Sequence, residues 1–291
     1  ETDYGEIVAM EQQLMAEGFG FGAEGVIRDN VVSAVSYTGG NWTATGILIY
    51  EPGGAVTVEN NTVTNSQTGI FVIGGTGHQI LGNTVTGSDW GIALQNADAL
   101  VSGNTVADGA VGIDVFAGAR ATVTNNFVQN NSEAGVWIEA DAATGTVVNG
   151  NSISGNSVGL QNDLTDPVNA SGNWWGTNSG AGVKALANAG TGIDYTPWLH
   201  AGTDTNAGTP GFQGSFSYLW VDDDSPQTGS TGRIQEGVNL VTAGGTVAVL
   251  AGTYAESPDL NKDAIVDVQG NLVLQGSLTL SDGEWIGPSG G

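Results

Sequence analysis

Apolar residues return in a constant phase with asparagine along residues 56–176. The marker asparagines are Asn30, Asn61, Asn83, Asn104, Asn126, Asn151 and Asn173, and successive positions differ by 31, 22, 21, 22, 25 and 22. Three residues before each stand Ile27, Val58, Ile80, Val101, Val123, Val148 and Ala170. Two residues after stand Val32, Val63, Val85, Val106, Val128, Ile153 and Trp175. A glycine opens the next apolar run at Gly69, Gly91, Gly112, Gly135 and Gly159. A repeat near 22 residues that keeps its phase predicts a solenoid.

Within each run apolar and polar or small residues alternate, as in a strand with one face buried. Ile70 and Val72, Ile92 and Leu94, Ile113 and Val115, and Val136 and Ile138 take the inner face. Isoleucine and valine suit such a half-buried pleat. Three strands and three turns per repeat predict a parallel β-helix. Its asparagines then stack about 4.8 Å apart and satisfy turn backbone that no strand ladder reaches. Asn61, Asn83, Asn104, Asn126, Asn151 and Asn173 are the predicted structural ladder. The complementary alternation turns Leu48 and Tyr50, Phe71 and Ile73, Ala93 and Gln95, Asp114 and Phe116, and Trp137 and Glu139 outward. Tyr50, Phe71, Phe116 and Trp137 make that face the candidate ligand-binding surface, because aromatic stripes stack on sugar rings or pack on another protein.

The pattern breaks in several places. Residues 1–30 read as an incomplete coil, with a strand start at Gly5–Val8 and one or two helical turns over Met10–Gly18. The coil from Asn30 to Asn61 is too long, and its excess over 36–45 carries Tyr37 and Trp42. At 173–176, Asn-Trp-Trp-Gly puts tryptophans where other coils have Thr-Val, a plug for an open core end. Residues 200–215 are polar and rich in Gly and Thr, and are expected to be a linker. Beyond it, Phe216–Val221 and Thr246–Leu250 read as strands. Ile234, Val238 and Val241 form one helical stripe, weakened by Gly237 at about 1 kcal/mol relative to alanine. Three short apolar runs follow, at 265–268, 272–274 and 278–280.

Composition narrows the partners. The 291 residues include 48 Gly, 7 Pro and no Cys, so many tight corners are expected and disulfides are excluded. Thirty acidic residues against five basic ones give a formal charge of −25. That argues against nucleic acid, whose phosphates need Lys and Arg, and against a bare polyanionic sugar. No apolar run is long enough to span a membrane. Asp222, Asp223 and Asp224 form an acidic turn of hard oxygen donors, and Ca²⁺ is the one cofactor it suggests.

These coils resemble the right-handed parallel β-helix repeats of the pectin-lyase-like superfamily, in particular the NosD-like repeat proteins. Asn173-Trp174-Trp175-Gly176 is similar to the sequence that closes such β-helices. Arg233–Val238, Gly244–Val247 and Ala251–Tyr254 resemble the capping helix and first coil that open one. The resemblance implies an all-β fold, with the closing element here preceding the opening one. A tandem array accounts for that order: 1–199 as the C-terminal coils of one module, 200–215 as linker, and 216–291 as cap and first coils of the next.

The resemblance is weak for function, because the fold hosts lyases, hydrolases, epimerases, adhesins and fibre proteins. The Asp, His and Arg-x-Lys elements of polygalacturonase-like members are missing, as is the Asp-Pro-His pattern of alginate epimerases. Pectate-lyase-like members need an Arg or Lys base, and no basic residue stands among the outward strand positions. The best carboxylate pair is Asp114 and Glu139. One strand step and two residues of chain separate them, or about 8 Å, within the range of an inverting glycosidase. The sequence therefore predicts an extracellular or cell-surface structural protein, prokaryotic in style, a segment of a fibre or adhesin. Its partners are copies of itself stacked head to tail, or further repeats of one chain. The alternative is a polysaccharide-acting enzyme or carbohydrate-binding β-helix.

Overall fold

The structure is a computed structural model that describes residues 25–37, 44–187, 192–260 and 262–280. The readings at Gly5–Val8 and Met10–Gly18, and Trp42 in the long coil, lie outside the described residues. The chain winds as a right-handed parallel β-solenoid of about 10 turns. Each regular coil gives one strand to each of three parallel sheets, so every strand pairs with the third one before and after it. The first sheet runs from Gly25–Arg28 to Ile193–Asp194. The second runs from Val31–Ser33 to Ser152–Ser154, and the third from Thr45–Tyr50 to Val158–Asn162.

The register follows the sequence phase. Val58 pairs with Ile80, and Ile80 with Val101. Val63 pairs with Val85, and Ile92 with Ile113. Identical inward positions therefore stack into columns, and these side chains are fully buried in one continuous core. Each such residue contributes about 1.5–3 kcal/mol relative to exposure. The core ends on Trp175, Tyr195 and Trp198, all fully buried, as expected of a plug.

The asparagine ladder is continuous. Oδ1 of Asn104 accepts both the main-chain N–H (2.8 Å) and the side-chain amide (3.0 Å) of Asn83. The Asn104 amide in turn donates to Asn126 Oδ1 (2.9 Å) and to the carbonyls of Ile80 (2.8 Å) and Ser102 (3.1 Å). The same pattern runs from Asn30 to Asn173, with amide-to-amide distances of 2.9–3.1 Å. The residue before each ladder asparagine has positive φ: Asp29, Asn60, Gly82, Gly103, Asn125, Gly150 and Gly172. Only Gly, Asn and Asp take that corner readily. The glycines that open the third-sheet strands are needed for a different reason. A Cβ on Gly91 would lie 2.3 Å from Val106 Cγ1 and 2.5 Å from the carbonyl oxygen of Gly112 on the next coil.

The C-terminal part differs from the sequence reading in three ways. First, helix α1 (Gly180–Leu186) stands in the Gly-rich stretch after Trp175, and the first sheet continues past it. Second, residues 200–215 are no free tether. Phe212 is buried, its N–H donates to the Asn125 carbonyl (2.7 Å), and its ring meets Phe127 edge-on at 5.4 Å. Third, the runs at 265–268 and 272–274 are one strand, Ala264–Leu274, accommodated by a register shift opposite Leu250 and Gly252. Tyr218–Val221, Gly245–Tyr254 and Ala264–Leu274 form a parallel sheet, and Trp198–Leu199 joins it antiparallel. Helix α2 (Arg233–Leu240) covers its core. A Cβ on Gly237 would lie 2.8 Å from Val247 Cγ1, so the residue that weakens the helix is the one that lets it approach the sheet. No described helix is long and apolar enough to cross a membrane.

The ladder sets a stability test. Asn104→Ala removes the acceptor of two Asn83 donors and the donor of three acceptors, all on buried or partly buried corners. A loss of about 1–3 kcal/mol is expected for groups left unpaired. Asn30 is exposed, and among the described residues Asn30→Ala removes two side-chain donations, to the Arg28 carbonyl and Asn61 Oδ1. Urea denaturation of the two variants should give a clearly larger loss for Asn104, and equal losses would count against a cooperative ladder.

Candidate functional site

The third sheet carries the outward face. Leu48, Phe71, Ala93, Asp114, Trp137 and Gln161 lie in register across six strands, and Tyr50, Ile73, Gln95 and Phe116 form the neighbouring row. Tyr50 is 52% exposed, while Phe71, Phe116 and Trp137 are half-buried. The rings of Phe71 and Phe116 are 6.1 Å apart and tilted by 31°. Small Ala93 lies in the row between Phe71 and Asp114, and it is buried. The four aromatic residues expected on this face are on it.

Asp114 is the unusual member. It points away from the core, yet it is only 4% exposed, and its Oδ1 has no hydrogen-bond partner among the described residues. Burial, and then the charge of Glu139, push its carboxyl up to about 7, against a backbone N–H of Val115 that pulls it down. Glu139 is two residues beyond Trp137, the register partner of Asp114, so the two acids sit diagonally on adjacent coils as the sequence spacing predicts. Glu139 is also raised, by burial and by Asp141 and Asp163. Asp141 and Asp163 are functional neighbours that the sequence reading missed. Asp163 accepts a hydrogen bond from Trp137 Nε1 (2.8 Å), and Asp141 accepts one from the Ala117 N–H (2.8 Å). Asp163 was findable, since it stands one residue past Asn162, the partner of Ile138, and so shares the column of Glu139.

The chain belongs to the right-handed β-helix family. The family described as "right handed beta helix region" matches residues 19–194. No curated protein and no solved structure matches the chain. Family membership gives this β-helix its scaffold and leaves its chemistry to the residues on the face.

The other candidates resolve differently. Carboxylate oxygens of Asp222, Asp223 and Asp224 lie within 4.8 Å of one another, a donor set of the kind that suits Ca²⁺. Each is already engaged: Asp222 Oδ1 accepts the Asp224 N–H, Asp223 Oδ2 accepts the Thr253 N–H, and Asp224 Oδ2 pairs with Lys184 at 2.7 Å. A cation there would compete with Lys184. His78 is buried, with Nδ1 accepting from the Val56 N–H and Nε2 facing the Gly74 carbonyl, so it holds a corner. A polar cavity of about 670 Å³ lies beside the start of α2, where Glu256 accepts the N–H groups of Ile234 and Gln235.

The Asp114 carboxyl gives a pH test. Above its ordinary value of 3.8 the unfolded chain releases this proton, whereas the folded chain keeps it until about 7. Stability should therefore fall as pH rises through that window and level off above it, by ~4 kcal/mol at most at 1.36 kcal/mol per unit. Asp114→Asn stays neutral throughout. Its melting temperature should exceed that of the wild type at about pH 8 and match it at about pH 4. Parallel melting curves at both pH values would refute a buried, proton-retaining Asp114.

Proposed function

We propose that this β-helix is a segment of an extracellular surface protein whose third-sheet face binds a neutral polysaccharide. The observation that carries this reading is one aligned surface of rings and acids: Tyr50, Phe71, Phe116 and Trp137 beside Asp114 and Glu139. Flat rings supply the apolar contact that the C–H face of a sugar needs. Carboxylates and a protonated acid supply acceptors and a donor for its hydroxyls. A row of strands about 4.8 Å apart offers a repeating track to a chain of sugar units. The face carries Glu139, Asp141 and Asp163 and no cation, so charge favours an uncharged polymer over an acidic one. Fibre or adhesin architecture fits the same scaffold, in which the coils give length and this face gives contact.

A second reading, glycoside hydrolysis, is favoured by one feature: Asp114 is buried beside a second carboxylate, and burial pushes its carboxyl up to about 7. In that reading Asp114 donates its proton to the leaving glycosidic oxygen, and Glu139 takes one from the attacking water. Binding and reducing-end assays on neutral polysaccharides separate the two. Retention without release of reducing ends supports the binding face. Trp137→Ala is expected to weaken it about tenfold, as for a lost stacking contact of ~1 kcal/mol or more. Release of reducing ends that Asp114→Asn abolishes would replace binding by hydrolysis, and absence of both would defeat the polysaccharide reading.

A further inference from the structure

The C-terminal sheet repeats the layout of the third-sheet face with different residues. Trp220, Ala248 and Asp267 are in register across three neighbouring parallel strands, as are Phe71, Ala93 and Asp114. In both places a buried alanine stands between a half-buried ring and an acid. In both, Oδ1 of the acid is out of contact with solvent and has no hydrogen-bond partner among the described residues.

The rings around Trp220 form a tighter group than those on the third sheet. His200 lies 4.6 Å from Tyr218 and stacks on Trp220 at 5.9 Å and 26°, and Tyr218 and Trp220 are 5.5 Å apart. Leu219 and Val221 alternate with these residues and fill the core beneath α2, so Tyr218 and Trp220 project to the opposite side. Trp220 leans partly on the end of the β-helix core, and all three rings remain half-buried rather than enclosed.

The polar atoms of this group are fixed. An indole N–H only donates, so the 3.0 Å contact from Trp220 Nε1 makes His200 Nδ1 an acceptor. With Nδ1 accepting, the imidazole proton sits on Nε2, which can donate. Asp267 supplies acceptor oxygens, and Gln269 holds one of them with a 2.6 Å bond to Oδ2. Stacked rings, one imidazole donor and one carboxylate acceptor are what a sugar ring requires. The acid and the net charge of −25 disfavour an anionic ligand.

We propose that His200, Tyr218, Trp220 and Asp267 form a second carbohydrate-contacting site, taking a neutral saccharide. The choice of ligand class rests on the reading of the third-sheet face, but the site stands on its own residues. Two faces on one rigid chain would hold a polymer at two points, with an avidity neither reaches alone.

The test uses the full chain, ¹⁵N-labelled, titrated with cello-, xylo-, manno- and laminari-hexaose. The indole N–H signals of Trp220 and Trp137 report the two faces separately. At least one hexasaccharide should shift the Trp220 signal. Tyr218→Ala should weaken that response about tenfold and leave the Trp137 response unchanged. His200→Gln keeps an acceptor for Trp220 but loses the imidazole ring, and guards against a folding defect in Tyr218→Ala; it should weaken the response similarly. A Trp137 signal that moves while Trp220 stays still with all four sugars would overturn the second site and leave the third-sheet reading standing. Silence at both would overturn both. A Trp220 response untouched by either variant would also overturn the site.

Discussion

Each coil leaves its strand N–H and C=O groups without partners of its own, and its corner asparagine with only one carbonyl two residues back. The next coil supplies them, and it does so only in register. A slip of one residue would turn every inward valine out and every outward residue in. It would also move each asparagine amide away from the Oδ1 and carbonyl oxygens that hold it. The ladder and the hydrophobic columns thus enforce one another, and a corner such as Asn60 or Gly82, with positive φ, is tolerated because both neighbours fix it. Function inherits this constraint. Outward positions of successive coils become rows with strand spacing, so the rings and acids scattered along them are brought onto one surface by the repeat.

Whatever depends on period was legible in the sequence. The ladder asparagines, the inward Ile and Val positions, the outward face and the diagonal of Asp114 and Glu139 all follow from phase alone. Where the chain leaves the period, local signals were weaker than packing. Helix α1 forms in a stretch with three glycines at 176–182, and only the burial of Val183 and the neighbouring Ala187 explains why it holds there. Gln269-Gly270-Asn271 has the composition of a turn, yet it runs through the middle of Ala264–Leu274, because the partner strand shifts register opposite it. Thr-rich, Gly-rich 200–215 has the composition of a linker, yet Phe212 packs on Phe127 and its N–H bonds the Asn125 carbonyl.

Polar contacts join the two parts as well as the apolar packing of Trp220, Leu250 and Phe127. Asp194, in the last strand of the first sheet, accepts the Thr228 N–H (2.6 Å) and Oγ1 (2.7 Å), and Ser225 Oγ at 3.3 Å. Tyr195 N–H donates to Ser225 Oγ (3.0 Å), and Arg233 binds the Ser225 carbonyl. Lys184 of α1 reaches across to Asp224. The tandem order read in the sequence therefore coexists with a bonded junction.

Asp194 and Asp114 are two buried acids that the fold treats differently. Burial raises both carboxyls above their ordinary value. Asp194 is opposed by hydrogen bonds from Thr228 and Ser225 and by the charge of Arg233, so the protein supplies the partners that its removal from water demands. Asp114 has an oxygen with none, and its neighbours in charge, Glu139 and Asp141, repel it further. An acid kept at that cost, on an outward face between rings, is poorly explained by folding, since alanine, as at Ala93 in the same row, fills the position without it. Asp267 likewise has one oxygen, Oδ1, without a hydrogen-bond partner among the described residues, while Gln269 holds the other. The distinction lies in whether the fold answers the buried group. Where it does, the acid is a joint. Where it does not, as at Asp114 Oδ1, the unmet hydrogen bond is the one that the proposed ligand would supply.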